Sequence, residues 1–198
     1  MAQNEIVEQI EEHLEEIMDI LEIKRTPSNE ETPRRVAKMW ANELFANRNN
    51  RNIEELDAKM KVFDNEYENE VIVMKDIEFN STCEHHWLPF SGKVTVAYVP
   101  DKVVIGLSKI PRVVKYFSKQ PTLQEKLGKD IGEYLFNKLQ PLCIMVFITS
   151  THSCVKCRGA ESDCSTITRY SKWDGQLDGK KDLIYAITDL IEKRVGVL

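Results

Sequence analysis

The sequence predicts a mixed α+β domain, and three features predict it. Stretches with apolar residues three and four apart, the helical period, occur near both ends and in the middle. Between them lie short runs with strand alternation or β-rich composition, at 71–79, 93–99, 103–107 and 142–152. At 198 residues, 42% hydrophobic and 30% charged, the chain is long enough for a substantial core and too apolar to stay unfolded.

Taken in order, residues 5–23 form an amphipathic helix with Ile6, Ile10, Leu14, Ile17, Met18 and Leu21 on one side and many glutamates on the other. His13 lies among those acids and reads as a surface residue. Thr26-Pro27-Ser28-Asn29 breaks the pattern. Thr32 then caps a second helix, with Pro33 in its first turn and Val36, Met39, Trp40 and Leu44 as its apolar stripe. Arg35 and Lys38 share another face, which spacing alone reads as solvated and basic. Residues 46–69 are polar and predict a loop with short irregular pieces.

The strand at 71–79 delivers the chain to Cys83, and Gly92 suits a tight turn before the strand at 93–99. Pro100-Asp101-Lys102 is a further turn. The apolar run at 103–107 leads into a helix capped by Ser108, with Pro111 in the first turn and Val113, Val114 and Phe117 buried. Lys109 and Arg112 project together near that helix N-terminus, a favourable place for phosphate. Pro121-Thr122 opens the next helix, where Thr122 and Glu125 fit a capping box. Leu123, Leu127, Ile131, Leu135 and Leu139 step by four and pack it on a sheet until Pro141 ends it.

In the strand at 142–152, Leu142, Ile144, Val146, Ile148, Ser150 and His152 share a face. A strand that ran on would add Cys154, Lys156 and Arg158 to that face and turn Cys157 away. Cys143 reads as a core thiol. The chain is then polar, with Ser165-Thr166-Ile167-Thr168 as its strand-like piece, until a last amphipathic helix at 182–195 built on Leu183, Ile187, Leu190 and Ile191.

Composition excludes several functions. A formal charge of −5 gives no general case for nucleic-acid binding, so an anionic ligand needs a local basic patch. No run approaches the ~18 apolar residues of a membrane span. The N-terminal residues lack a basic and an apolar leader region, so a cytoplasmic protein is expected. Five cysteines, an odd number, favour reduced thiols over a disulfide framework.

The chemistry concentrates in Ser81-Thr82-Cys83-Glu84-His85-His86 and in Thr151-His152-Ser153-Cys154-Val155-Lys156-Cys157-Arg158-Gly159. Three of the four histidines and three of the five cysteines lie there. Cys83 and His86, three apart, can face one ion. Two zinc sites are open to these residues. Cys83, His86, Cys154 and Cys157 would close a structural site, whereas Cys83, His86 and Cys154 alone leave a position for water. The open site gives His85 and His152 a use, since histidines move protons near neutral pH. Arg158, Lys109 and Arg112 could hold an anion beside it.

The two stretches, with Gly-Lys-Val-x-Val-Ala-Tyr-Val-Pro from Gly92, Ile-Gly-Leu-Ser-Lys-Ile-Pro-Arg from Ile105, Gln-Glu-Lys-Leu from Gln124 and Thr-Pro-Arg-Arg-Val-Ala-Lys-Met from Thr32, resemble type I GTP cyclohydrolase over about 32–168. The resemblance implies hydrolysis of GTP to formate and 7,8-dihydroneopterin triphosphate, the opening step of folate, pterin or 7-deazaguanine biosynthesis. It implies zinc on Cys83, His86 and Cys154, activating water for attack at C8 of guanine. His152 matches the histidine that protonates the opening ring, and His85 matches its assisting neighbour. Ser108 belongs with these catalytic groups and, with Lys109, Arg112 and Arg158, sits round the ribose and triphosphate. Glu125 would accept from the guanine N1 and amino edge. Arg35 and Lys38 match residues that reach the triphosphate from an adjoining subunit. The implied fold is the tunnelling fold, an antiparallel four-stranded sheet with two long helices preceded by N-terminal helices. The division it implies is a helical region at 1–50, the catalytic domain at 51–180 and a C-terminal helix at 181–198. Subunits of such enzymes form a homodecamer with active sites between subunits. The chain departs from the pattern at Cys157, where a small or apolar residue is usual, and after Gly159. Two other readings remain: a related enzyme opening another purine or acting on a pterin, and a non-catalytic module with closed zinc.

Overall fold

The computed structural model describes residues 3–66, 70–175, 185, 187–189 and 191. Helix α1 (Gln3–Ile20) and helix α2 (Thr32–Met39) pack on each other through Val7, Ala37 and Ala41, with Ile6, Ile10 and Leu14 at the margin. Helix α2 begins one residue earlier than expected: Glu31 is the cap, Thr32 lies inside, and no side chain caps it. A π-helical turn, Trp40–Leu44, extends α2. The polar stretch predicted as loop holds more structure than its composition suggests, with helix α3 (Ile53–Lys59) and strand β1 (Val62–Asp64). Leu56 and Met60 explain this, because both bury themselves in the main core.

Strands β2 (Ile72–Cys83) and β3 (Pro89–Val99) form a long antiparallel pair. A bulge between Met74 and Ile77, with Asp76 at φ 58°, breaks its register. Gly92 lies within β3 and makes no turn: a Cβ there would meet the Thr149 carbonyl oxygen at 1.9 Å, so only glycine permits this strand approach. Strand β4 (Val103–Ile105) pairs with β1 in a small separate sheet. Helix α4 (Lys109–Ser118) follows Ser108, which stands at the cap position without a capping hydrogen bond.

The two-residue strand β5 (Pro121–Thr122) runs parallel to the end of β2. Helix α5 (Gln124–Leu139) buries Gln124, Leu127, Gly128, Ile131, Gly132, Leu135 and Leu139. The capping box does not form: Leu123 is the cap, and the Thr122 hydroxyl donates to the Leu123 carbonyl instead. Thr122 is held in β5, which leaves it extended and short of the cap. Strand β6 (Cys143–His152) ends at His152, and helix α6 (Ser153–Lys156) takes over, so the expected continuation of one strand face to Arg158 does not occur. Strand β7 (Ser165–Trp173) is longer than the four residues expected.

The main sheet has the order β5-β2-β3-β6-β7. It contains the expected antiparallel four strands with β5 added at one edge. Helices α4 and α5 cover one face, where Val94, Val96, Ile144, Val146 and Ile148 meet Ile110, Val113, Val114, Leu127, Ile131 and Leu135. On the other face Ala97, Val99, Cys143 and Met145 meet Ile187 and Ile191. Those two residues belong to the predicted last helix; its other anchors, Leu183 and Leu190, lie outside the described residues. Cys143 is the core thiol its pattern suggested, and burial pushes its pKa up to about 11.

Candidate metal centre and its proton-carrying neighbour

The site forms where three strand ends meet. Strand β2 ends at Cys83, and the chain turns tightly back into β3. The Cys83 N–H donates to the Leu88 carbonyl at 2.9 Å, and the Trp87 N–H donates to the Cys83 carbonyl at 2.8 Å. This turn brings His86 back over Cys83, with Nδ1 3.9 Å from Sγ. Strand β6 lies beside β3, and the short helix α6 that follows it presents Cys154 to the same place. The donor atoms of Cys83, His86 and Cys154 all lie within 4.8 Å of one another. Cys83 is buried, Cys154 half-buried and His86 exposed.

Two thiolates and an imidazole are a soft donor set suited to zinc. Tetrahedral zinc with its usual bond lengths separates such ligand atoms by roughly 3.5–3.8 Å, so the residues fit it after small closure. Burial and the neighbouring Cys83 together raise the Cys154 thiol pKa, and a divalent cation would reverse that preference. Cys157 stands outside the group. It is exposed, and its thiol is hydrogen-bonded to the Ser153 carbonyl at 2.7 Å.

His152 directly faces Phe90 across the β3–β6 pair, and the two rings stack in parallel at 4.8 Å. Its Nε2 lies 2.9 Å from Gln124 Oε1 and 3.2 Å from Ser150 Oγ. The buried Gln124 amide is fixed from its other end: Nε2 donates to the carbonyls of Ile148 and Thr166 and to Thr168 Oγ1. Its oxygen therefore faces inward and accepts from Ser150 Oγ at 2.6 Å. This arrangement assigns the proton of neutral His152 to Nε2 and leaves the lone pair on Nδ1. Burial lowers the His152 pKa, and Glu125 partly opposes that shift.

The other expected residues are less gathered. His85 is exposed, with its ring edge-on to His86 at 6.2 Å. Glu125 is exposed at the start of α5, so in the single chain it is not the buried carboxylate that guanine binding suggests. Ser108, Arg112 and Arg158 are exposed and Lys109 is half-buried. Arg112 lines a groove of about 480 Å³ with Asn47, Lys59, Lys115, Tyr116 and Lys119. Arg35 and Lys38 are exposed on α2. Sequence reading assigned no role to Gln124 or Ser150. Both left a signal: each is a polar residue on an otherwise apolar stripe, Gln124 with Leu127 and Ile131, Ser150 with Ile144, Val146 and Ile148.

A family model described as GTP cyclohydrolase I matches residues 9–192. The chain belongs to the GTP cyclohydrolase I family. It is 42% identical over 161 residues to a GTP cyclohydrolase 1 from Blochmanniella pennsylvanica, covering 80% of this chain and 71% of that one. It is 39% identical over 169 residues to the Vibrio vulnificus protein of the same name, covering 84% and 76%. A third, from Haemophilus ducreyi, is 35% identical over 189 residues, covering 93% and 84%. Among solved structures, the archaeosine synthase QueF-Like in the apo form matches 54% of this chain and 96% of that chain, with a TM-score of 0.46 and 17% identity.

Proposed function

We propose that this family member is a zinc-dependent GTP cyclohydrolase I that opens the guanine imidazole ring at C8, releasing formate and 7,8-dihydroneopterin triphosphate. The observation that carries the reading is the convergence of Cys83, His86 and Cys154 beside His152 in a chain of this family. Cys83, His86 and Cys154 hold the metal, which supplies Lewis acidity that lowers the pKa of water. His152 exchanges the proton at Nδ1 while Gln124 Oε1 retains the Nε2 proton, so the ring keeps its orientation in both protonation states. His85 assists proton transfer from the exposed side, and Ser108 holds the ribose end. Glu125 accepts from the guanine edge. Lys109, Arg112 and Arg158 bind the triphosphate, which needs several cations and so explains basic positions in an acidic chain.

Arg35 and Lys38 complete the anion site from an adjoining subunit, in a homodecamer with active sites at its interfaces. Their exposure on α2 leaves them available for that contact. The fold reading is the tunnelling fold, with a helical region at 1–50, the catalytic domain at 51–180 and a helix at 181–198. The setting is the cytoplasm, at the entry to folate, pterin or 7-deazaguanine synthesis. The position of Cys157 favours the open centre over a closed four-ligand one.

The test is a zinc-loaded assay with GTP that follows formate and the fluorescence of oxidised neopterin together. Equal yields are expected. Bound zinc with neither product would overturn the reading, and formate alone would limit it to ring opening.

A further inference from the structure

We infer that Trp87 is a positioning residue for the metal-binding turn, clamped by an aromatic slot built from Trp40 and Phe45. The inference rests on the metal reading of Cys83, His86 and Cys154. Two unusual backbone features serve this single contact. Trp87 has φ 53°, in the left-handed region that bulky side chains rarely occupy. It is also the residue whose N–H closes the turn on the Cys83 carbonyl, directly after the ligand His86. The second feature is the π-helical turn at Trp40–Leu44, closed by the Phe45 N–H on the Trp40 carbonyl at 2.9 Å. A wider turn of this kind brings residues five apart onto one side, where a regular α-helix would spread them. Trp40 and Phe45 consequently stand together, with ring centroids 6.2 Å apart.

The Trp87 ring enters that slot. Its centroid is 5.3 Å from Trp40 at an interplanar angle of 80°, and 5.3 Å from Phe45 at 62°. Edge-to-face contact with two rings fixes both its position and its tilt. Phe45 is buried, so the slot is anchored, although Trp87 itself is 50% exposed. The clamp therefore ties the turn between two metal ligands to the N-terminal helical layer. His86 is exposed, with its ring against Cys83 Sγ at 3.9 Å and edge-on to His85, and the backbone that aims Nδ1 runs directly into the held Trp87.

The experiment is zinc affinity of metal-stripped and reloaded protein, measured by competition with a chromophoric chelator. Cobalt spectra would report the thiolate and imidazole geometry. Trp87→Ala is expected to weaken zinc binding about tenfold, the scale of losing a group that orients a ligand. Trp87→Gly relieves the left-handed backbone yet lacks the ring, and the same weakening is expected. Trp87→Phe should stay close to wild type. Trp40→Ala leaves the turn sequence intact and should weaken binding in the same direction, which keeps the inference testable if Trp87→Ala does not fold. Wild-type affinity in Trp87→Gly or Trp40→Ala, even with a lowered Tm, overturns the clamp. A wild-type chain that binds no zinc overturns the metal reading and this inference with it.

Discussion

The candidate metal corner and the basic residues proposed for the triphosphate are built in opposite ways. Cys83, His86, Cys154, His152 and Gln124 are drawn together by strand pairing and a hydrogen-bonded turn within one chain. Arg35 and Lys38 on α2, Arg112 on α4 and Arg158 after α6 are exposed and come from separate parts of the fold. The difference follows from desolvation. Soft, neutral or readily neutralised groups can be packed against a core, whereas unpaired guanidinium and ammonium groups stay in water until an anion neutralises them. The corner can thus be prebuilt by folding, whereas on the proposed function the cation set waits for its ligand and a neighbouring subunit.

The sharpest break separates the roles inside the corner. Cys83→Ala should lose zinc and with it all measurable turnover, because the buried first ligand anchors the set. His152→Ala should keep its zinc and lose about 10²–10⁴-fold in kcat, the usual scale for a positioned acid–base group. Metal analysis beside formate release distinguishes the two. Full turnover in His152→Ala would remove His152 from the chemistry.

The cation set invites a different experiment. Replacing Arg35 and Lys38 together by Ala should raise KM for GTP by roughly 10–100-fold, as expected for losing charge-assisted contacts. If they serve an adjoining subunit, oligomers mixed from this double variant and His152→Ala should recover activity that neither parent has at low GTP. Verified mixed oligomers without recovery would place both cations in their own chain's site and erase the contrast between prebuilt corner and shared cation set.

Much of this contrast was legible in the sequence. The Cys83–His86 spacing pointed to the two side chains meeting, as they do, and the strand alternation placed His152 correctly on the face of Ile148 and Ser150. The order of helices and strands followed from periodicity because buried stripes such as Leu127, Ile131 and Leu135 repeat without interruption. What failed depended on contacts far away in the chain. Thr122 looked like a helix cap, but pairing with Cys83 in a parallel bridge held it extended. Gly92 looked like a turn, but its role is set by the Thr149 carbonyl of another strand. Cys154 reaches Cys83 and His86 through the helical turn after β6, not through a continued strand. The left-handed Trp87 and the π-helical turn beside it also depend on distant contacts, since the Trp87 ring packs on Trp40 and Phe45, more than forty residues earlier in the chain.

The smallest expected effect tests the β7 edge of the main sheet, where α5 packs on it. Glu133 accepts hydrogen bonds from Lys172 Nζ at 2.5 Å and from Tyr170 Oη at 2.6 Å, joining α5 to the edge strand β7. Those bonds, the Lys172 bond foremost, hold the Glu133 pKa below the usual carboxylate value. A depressed folded-state pKa means stability that is present above the unfolded value of about 4.3 and is lost as pH falls through the folded value. Both Glu133 and Lys172 are about a third exposed, so solvent screens the pair and the effect is modest. The Tm difference between wild type and Glu133→Gln should therefore be small near neutrality and shrink further on acidification below pH ~4.3, with Lys172→Met behaving likewise. A difference that is flat through the acid range would mean that β7 is held by strand pairing with β6 and by Tyr170 packing on Gly132, where a Cβ would come within 2.4 Å of the ring, with no contribution from the carboxylate.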